Sequence, residues 1–424
     1  MTGRTAAASR VLDAIDLHCE PMMTALAELI AVPSVSGTDA ENDAVHHVAQ
    51  LMTAQGMEVD HWQIPLGEIT AHPDFPGMEV PRSEAWGVVG RIAGDGSGRS
   101  LMFNGHVDVV PSGDPQQWTS SAFDPRVVGG RMYGRGSCDM KAGVIASLWA
   151  VDAIRRSGVR LGGDLTIAAV LGEEDGGLGT FATLHRGWRA DACVIPEPTD
   201  LDLVPANAGA LTFRLRVHGH ATHASRRTAG VSAIEKFVAI HAAIMELEHE
   251  RNRSAATSAK FELAYPVSIG TVAAGDWASS VPDLLVAEGR FGVALDESPD
   301  AARLALEQAV SAACAADPWL RDHPVDVEWW GGQFASGRLP DGSDLLEQVA
   351  AAHAAVSDRV QDTWVAPYGS DLRLMTGIGG VPTIQYGPGD VALAHGPDEH
   401  VVLDDVATTA RALAMLALEM CGER

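Results

Sequence analysis

Three short apolar runs, each ending in residues that can bind a metal or move a proton, constrain this chain more than any other feature. Leu101–Phe103 leads into Asn104-Gly105-His106-Val107-Asp108, Thr166–Leu171 into Gly172-Glu173-Glu174-Asp175, and Ala192–Ile195 into Pro196-Glu197-Pro198. Runs this short, closed by Gly or Pro, fit buried strands and are too brief for helices. Segments with helical spacing, Ala142–Ser157 and the stretch after Gly179, lie between them. The alternation predicts an α/β domain with a mixed, mainly parallel sheet flanked by helices. Reactive groups in such sheets gather beyond the carboxyl ends of the strands. His106, Glu173-Glu174 and Glu197 are therefore expected along one edge.

The pattern changes near Ala206. Leu211–Val217 alternates as a strand, Val231–His249 has helical spacing, Pro266–Val272 and Leu284–Ala294 read as strands, Asp300–Ala315 as a helix and Val325–Trp330 as a strand. That βαββαβ order predicts a ferredoxin-like sandwich of one four-stranded sheet and two helices. Val360–Arg424 returns to buried strands and a closing helix. The second unit, 207–334, is thus expected as an insertion into a first domain made of 1–206 and 335–424. Upstream, apolar spacing from Val11 to Ile30 gives two helices or one kinked at Pro21, and Ala40–Gly56 gives another. The Pro-rich stretch 63–85 reads as an irregular connection, either decoration or a border of the site.

At 424 residues the chain exceeds one ordinary core, in keeping with two domains. A hydrophobic share of 46% with 20% charged residues is globular composition. The formal charge of −26 opposes nucleic acid or an anionic membrane as the main partner, because phosphates would be repelled. No stretch approaches the roughly 18 apolar residues of a membrane span. Cys19, Cys138, Cys193, Cys314 and Cys421 form no CxxC pair, which fits free thiols in a reducing compartment. The first residues carry no apolar leader-like run, so the expected location is the cytoplasm.

Taken singly, the polar residues are ambiguous. On an extended strand His106 and Asp108 share a face, so Asp108 could hold the imidazole from behind; equally, the pair is a buried His with a carboxylate neighbour. Asp139, after Gly134-Arg135-Gly136-Ser137-Cys138, is a ligand or a helix cap. Glu173-Glu174-Asp175 repel one another unless a cation neutralises them or water solvates the turn. HExxH, GxSxG and P-loop patterns are missing, which removes the usual competing hydrolase and nucleotide readings.

In this order and at these separations, GHVDVVP, GRGSCDMKAG, LGEED, VIPEPT, GHATHAS and AHGPDEH resemble the zinc-dependent amidohydrolases and metallopeptidases that include acetylornithine deacetylase, succinyl-diaminopimelate desuccinylase and glutamate carboxypeptidase. The resemblance runs from about Leu26 to Leu418. It implies that His106 and Glu197 hold one Zn2+, that Glu174 and His395 hold a second, and that Asp139 bridges them. Asp108 would stand behind His106, and Glu173 would be the general base. The inserted domain would be a lid and homodimer contact, with His223 reaching the partner's active site as a donor to the carbonyl oxygen. Arg373 would bind a substrate carboxylate. Co2+ or Mn2+ would suit the same nitrogen and oxygen donors.

The implied activity is cleavage of the amide of an N-acyl amino acid or related small N-acyl compound. A metallo-dipeptidase or carboxypeptidase is the alternative enzyme. A non-catalytic binding protein on this fold is the alternative of another class, against which the spare carboxylate of Glu173 speaks. Three departures fall in the lid. Arg226-Arg227 stand where the family usually has a Pro, Gly230-Val231-Ser232-Ala233 where it has G-x-N-A, and Ser279-Ser280 where it often has an Asn before a Pro-Asp pair. Arg226 and Arg227 would favour an acidic substrate group if they face the site, or are solvated surface residues.

Overall fold

Leu101–His106 and Leu165–Val170 are buried at every position, as strands covered on both faces must be. The computed structural model describes residues 5–253, 255 and 260–423. In it these two strands pair in parallel, Ala192–Ile195 pairs in parallel on the other side of Leu101–His106, and Thr383–Gln385 continues in parallel. The margins are antiparallel: Trp86–Ile92 on Leu165–Val170, Glu58–Gln63 beyond it, and Leu203–Asn207 on Thr383–Gln385. The expected mixed sheet is present, parallel where the polar strand ends emerge. Helices Ala142–Arg156 and Leu403–Cys421 pack on Leu101–His106, and Ala40–Ala54 and Leu178–His185 pack on Trp86–Ile92.

Two local expectations are corrected. The N-terminal helices Ala6–Leu17 and Cys19–Ala31 part at His18, not at Pro21. Pro21 sits in the first turn of the second helix, where backbone N–H groups have no intrahelical partner to lose. The 63–85 stretch contains one short helix, Leu66–Ile69, and is otherwise irregular.

The chain forms two compact units. One comprises the residues up to Ala206 with Arg338–Trp364 and everything from Asp371 on; the other is Asn207–Gly337 with Val365–Ser370. The second unit has an antiparallel sheet in the order Val267–Ala274, Leu284–Val293, Gly209–His218, Asp326–Phe334. Its helices, Ala233–Asn252 and Pro299–Ala316, are capped by the side chains of Ser232 and Ser298. Its core gathers Leu211, Phe213, Leu215 and Phe291 from the sheet with Ile240, Ile244, Leu306 and Val310 from the helices. No helix among the described residues is long and apolar enough to cross a membrane.

Candidate metal centre

Neighbouring parallel strands bring their carboxyl ends together, and here those ends carry His106, Glu173-Glu174 and Glu197. Asp139 arrives from the turn Ser137–Lys141, which opens helix Ala142–Arg156; its peptide to Met140 is cis. The helix reaches the Glu197 loop because Gly143 has no side chain, since a Cβ there would lie 2.0 Å from the Pro196 carbonyl oxygen. His395 comes from the loop preceding strand His400–Val402.

Asp139 lies at the centre of the cluster. Its Oδ1 is 3.1 Å from His106 Nε2, and its Oδ2 is 3.4 Å from His395 Nε2. Glu174 Oε2 lies 3.2 Å from His395 Nε2, and Glu197 Oε2 lies 4.0 Å from His106 Nε2. His106, Asp139 and Glu174 each offer a ligand atom within 4.8 Å of the others. His106 Nδ1 donates to the Asp108 main-chain oxygen at 3.0 Å, which fixes the ring with Nε2 toward Asp139.

The sequence argument for Asp108 is corrected in its detail. The strand ends at His106, so the alternation of faces does not extend to Asp108. Its carboxylate is 3.7 Å from His106 Nδ1 and instead accepts the backbone N–H groups of Glu173 and Glu174, each at 3.2 Å, and the Ser36 hydroxyl at 3.0 Å.

Several supporting residues were not found from sequence. Arg82, in the supposed irregular connection, is bound to Asp175 and Glu41, each at 2.8 Å, with its side chain 2% exposed. It neutralises one of the three adjacent acids, leaving Glu173 and Glu174 for the centre. Burial, opposed by Arg82, pushes Glu41 up to about 7. Lys141 donates to the carbonyls of Leu29 and Val32 at 3.0 and 2.9 Å, and burial pushes it down to about 7. Arg135 and Glu399 form a buried ion pair at 2.6 Å. Lys141, Arg135 and Glu399 stood inside the quoted motifs, and a charge in a Gly-rich or apolar run was their signal; Arg82 had none.

The electrostatics fit a cation. Burial raises Glu173 and Glu197 well above the usual carboxylate range, and neighbouring acids, Asp371 foremost for Glu173, add to it. Burial alone would lower His106, yet Asp139, Glu197 and Asp108 carry it well above its ordinary value. Glu174 first, with Asp139, pushes His395 up against burial. Burial would raise Asp139, but hydrogen bonds from His106 and His395 hold it far below the usual range. A field that turns imidazoles into cations also favours a divalent ion, and the donor set is the borderline nitrogen and oxygen mix that suits zinc, cobalt or manganese.

Other sequence candidates lie as follows. Arg373 is 5% exposed and donates through Nη2 to the Gly176 carbonyl at 2.8 Å, beside the acidic turn. His223 belongs to the second unit and is exposed. Its Nδ1 accepts the Ser225 N–H at 3.2 Å and meets the Ser225 hydroxyl at 2.8 Å, so the ring proton belongs on Nε2. Arg227 pairs with Glu235 at 2.5 Å on the surface. Cys138 is buried and donates its thiol to the Asp390 carbonyl at 3.2 Å.

A family model described as peptidase family M20/M25/M40 matches residues 102–419. The chain belongs to this family. As an M20 protein it is a metal-dependent hydrolase of amide bonds, and its relatives carry matching names. N-formyl-4-amino-5-aminomethyl-2-methylpyrimidine deformylase of Halalkalibacterium halodurans is 25% identical over 435 residues, covering 97% of this chain and 96% of the relative. Acetylornithine deacetylase of Edwardsiella ictaluri is 27% identical, covering 93% and 96%. Succinyl-diaminopimelate desuccinylase of Polynucleobacter necessarius is 28% identical, covering 76% and 82%. Among solved structures, human carnosine dipeptidase 1 superposes with a TM-score of 0.75 at 15% identity, over 98% of this chain and 99% of that one. The yeast dipeptidase Dug1p from Saccharomyces cerevisiae gives 0.77 at 14%, over 97% and 98%. At such identities these two attest the M20 fold alone.

Proposed function

We propose that this M20 enzyme is a dinuclear-metal amidohydrolase that cleaves the amide of a small N-acyl compound, an N-acyl amino acid or a related N-acyl amine, releasing a carboxylate and an amine. One observation carries the reading: the two oxygens of Asp139 each face a different histidine, His106 on one side and His395 on the other, with a further carboxylate at each. In this reading His106 and Glu197 hold one ion, Glu174 and His395 the other, and Asp139 both; zinc is the first choice, cobalt or manganese the substitutes.

A bound pair of divalent ions supplies a water acidified toward neutral pH and a polarised carbonyl. The protein supplies the rest. Glu173, outside the proposed ligand set, takes a proton from the attacking water and returns it to the departing nitrogen. Asp108 fixes the tautomer of His106 and orders the Glu173-Glu174 turn. His223, with Nε2–H available as a donor, stabilises charge on the carbonyl oxygen, worth about 3 kcal/mol by analogy with other oxyanion donors. Arg373 contacts a substrate carboxylate. The second unit acts as a lid and homodimer contact, and the enzyme works in the cytoplasm.

Chelation followed by zinc or cobalt return tests the metal, and full turnover in a metal-free sample rejects it. Parallel assays of N-formyl, N-acetyl and N-succinyl compounds against dipeptides and C-terminally blocked peptides then test the substrate class. Turnover confined to the acyl compounds is expected. Preference for peptides would replace this reading with the dipeptidase or carboxypeptidase one, and no turnover in the zinc-loaded protein would favour a binding protein.

A further inference from the structure

His395 is placed where its own properties would not hold it. Its side chain is 54% exposed, and its backbone lies at φ +61, the left-handed region that a non-glycine residue occupies at a cost. Asp398, three residues on, is also left-handed at φ +54. Neither burial nor backbone preference therefore accounts for the approach of His395 to Glu174 and Asp139.

The restraint comes from two buried charges beneath the loop. Arg135, 2% exposed, donates from Nη1 to Glu399 Oε2 at 2.6 Å and from Nη2 to the His395 carbonyl at 3.2 Å and the Pro111 carbonyl at 3.4 Å. The other oxygen of Glu399, itself 1% exposed, accepts the backbone N–H of Cys138 at 2.9 Å and that of Asp139 at 3.1 Å. Trp118 lies over the guanidinium at 5.3 Å. The main chains of Asp139 and His395 are thus tied to a single ion pair. His106 and Glu197 have separate support: His106 ends a buried strand and is fixed by the Asp108 carbonyl, and the Glu197 N–H donates to the Ile195 carbonyl at 2.9 Å.

We propose that Arg135 and Glu399 are positioning residues, a buried clamp that sets the distance between Asp139 and His395 and thereby the affinity of one of two metal positions, the one served by His395 and Glu174. The inference rests on the dinuclear reading above. The chemistry of the pair supports it. A buried ion pair adds little net stability by itself; what this one contributes is the hold on four backbone groups, the carbonyls of Pro111 and His395 and the N–H groups of Cys138 and Asp139. Only a guanidinium can serve a carboxylate and two carbonyls at once from one rigid fork.

The test is zinc titration of the metal-free protein by calorimetry, with metal content after gel filtration and circular dichroism for fold. The wild type should bind two ions. The double variant Arg135→Met/Glu399→Met removes both charges, so no uncompensated charge is left in the interior. It should keep its fold and bind both ions more weakly, because Asp139 serves both, with the ion served by His395 and Glu174 weakened about 10- to 100-fold beyond the other. Arg135→Lys preserves the charge on Glu399 but not the fork, and should show the same selective weakening to a smaller degree; it carries the measurement if the double variant does not fold. Two ions at wild-type affinity in the folded variant, or equal loss of both, would overturn the clamp. A wild type that binds fewer than two ions would overturn the dinuclear reading itself, whatever the variants do.

Discussion

The carboxylate of Asp108 accepts the backbone N–H of Glu174 at 3.2 Å with one oxygen while the other accepts the N–H of Glu173 at the same distance. One buried acid therefore orders the proposed base and a proposed ligand together, and its main-chain oxygen orients His106. Asp108→Asn presents an amide nitrogen to one of those N–H groups, and a nitrogen that only donates cannot accept. Turnover should fall about 10- to 100-fold, with about 1–3 kcal/mol of stability lost to the unpaired group. Steady-state kinetics and urea unfolding measure the two effects.

Glu173 is buried beside the cluster but outside the proposed ligand set. Glu173→Gln keeps its shape and removes its ability to take a proton. Loss of about 10²- to 10⁴-fold in kcat is expected, with metal content unchanged by elemental analysis. Hydrolysis at the wild-type rate would show that another group moves the proton.

Arg82 holds Glu41 and Asp175 with its side chain almost wholly buried. Arg82→Met leaves two carboxylates in the interior without a counter-charge. Breaking a buried pair in this way costs about 3–5 kcal/mol, read from the shift in denaturant midpoint. A change below 1 kcal/mol would mean that water or protons already neutralise these acids.

His353 is fully buried, with Nε2 donating to the Arg359 carbonyl at 3.2 Å and Nδ1 accepting the Tyr386 hydroxyl at 2.8 Å. Burial holds it below its ordinary value of 6.5. Below that pH the unfolded chain takes up a proton that the folded chain refuses. The stability tied to the neutral ring is thus fully present above pH 6.5 and is lost as pH falls through the lower folded value, with a slope of at most about 1.4 kcal/mol per pH unit. Unfolding curves from pH 5 to 7.5 should be shallower in His353→Gln than in the wild type. Parallel curves would show that His353 does not titrate in this range.

The local elements and the chemistry on offer are legible in the order of the amino acids alone. Periodicity separated the parallel sheet from the βαββαβ unit, because which face a residue presents depends only on its own strand or helix, and the residue types at the strand ends named the candidate ligands. Which charge neutralises which follows from the packing of distant segments. Arg82 reaches Asp175 across 93 residues and Glu399 reaches Cys138 across 261, from a Pro-rich connection and from the far end of the chain. Such pairings leave no periodic trace, since a buried charge is stabilised by whatever partner the fold brings to it in space. That Asp108 meets His106 through its main-chain oxygen is illegible in the sequence for the same reason. The strand stops at His106, and past that point the path of the main chain, and not the alternation of side chains, sets what each group meets.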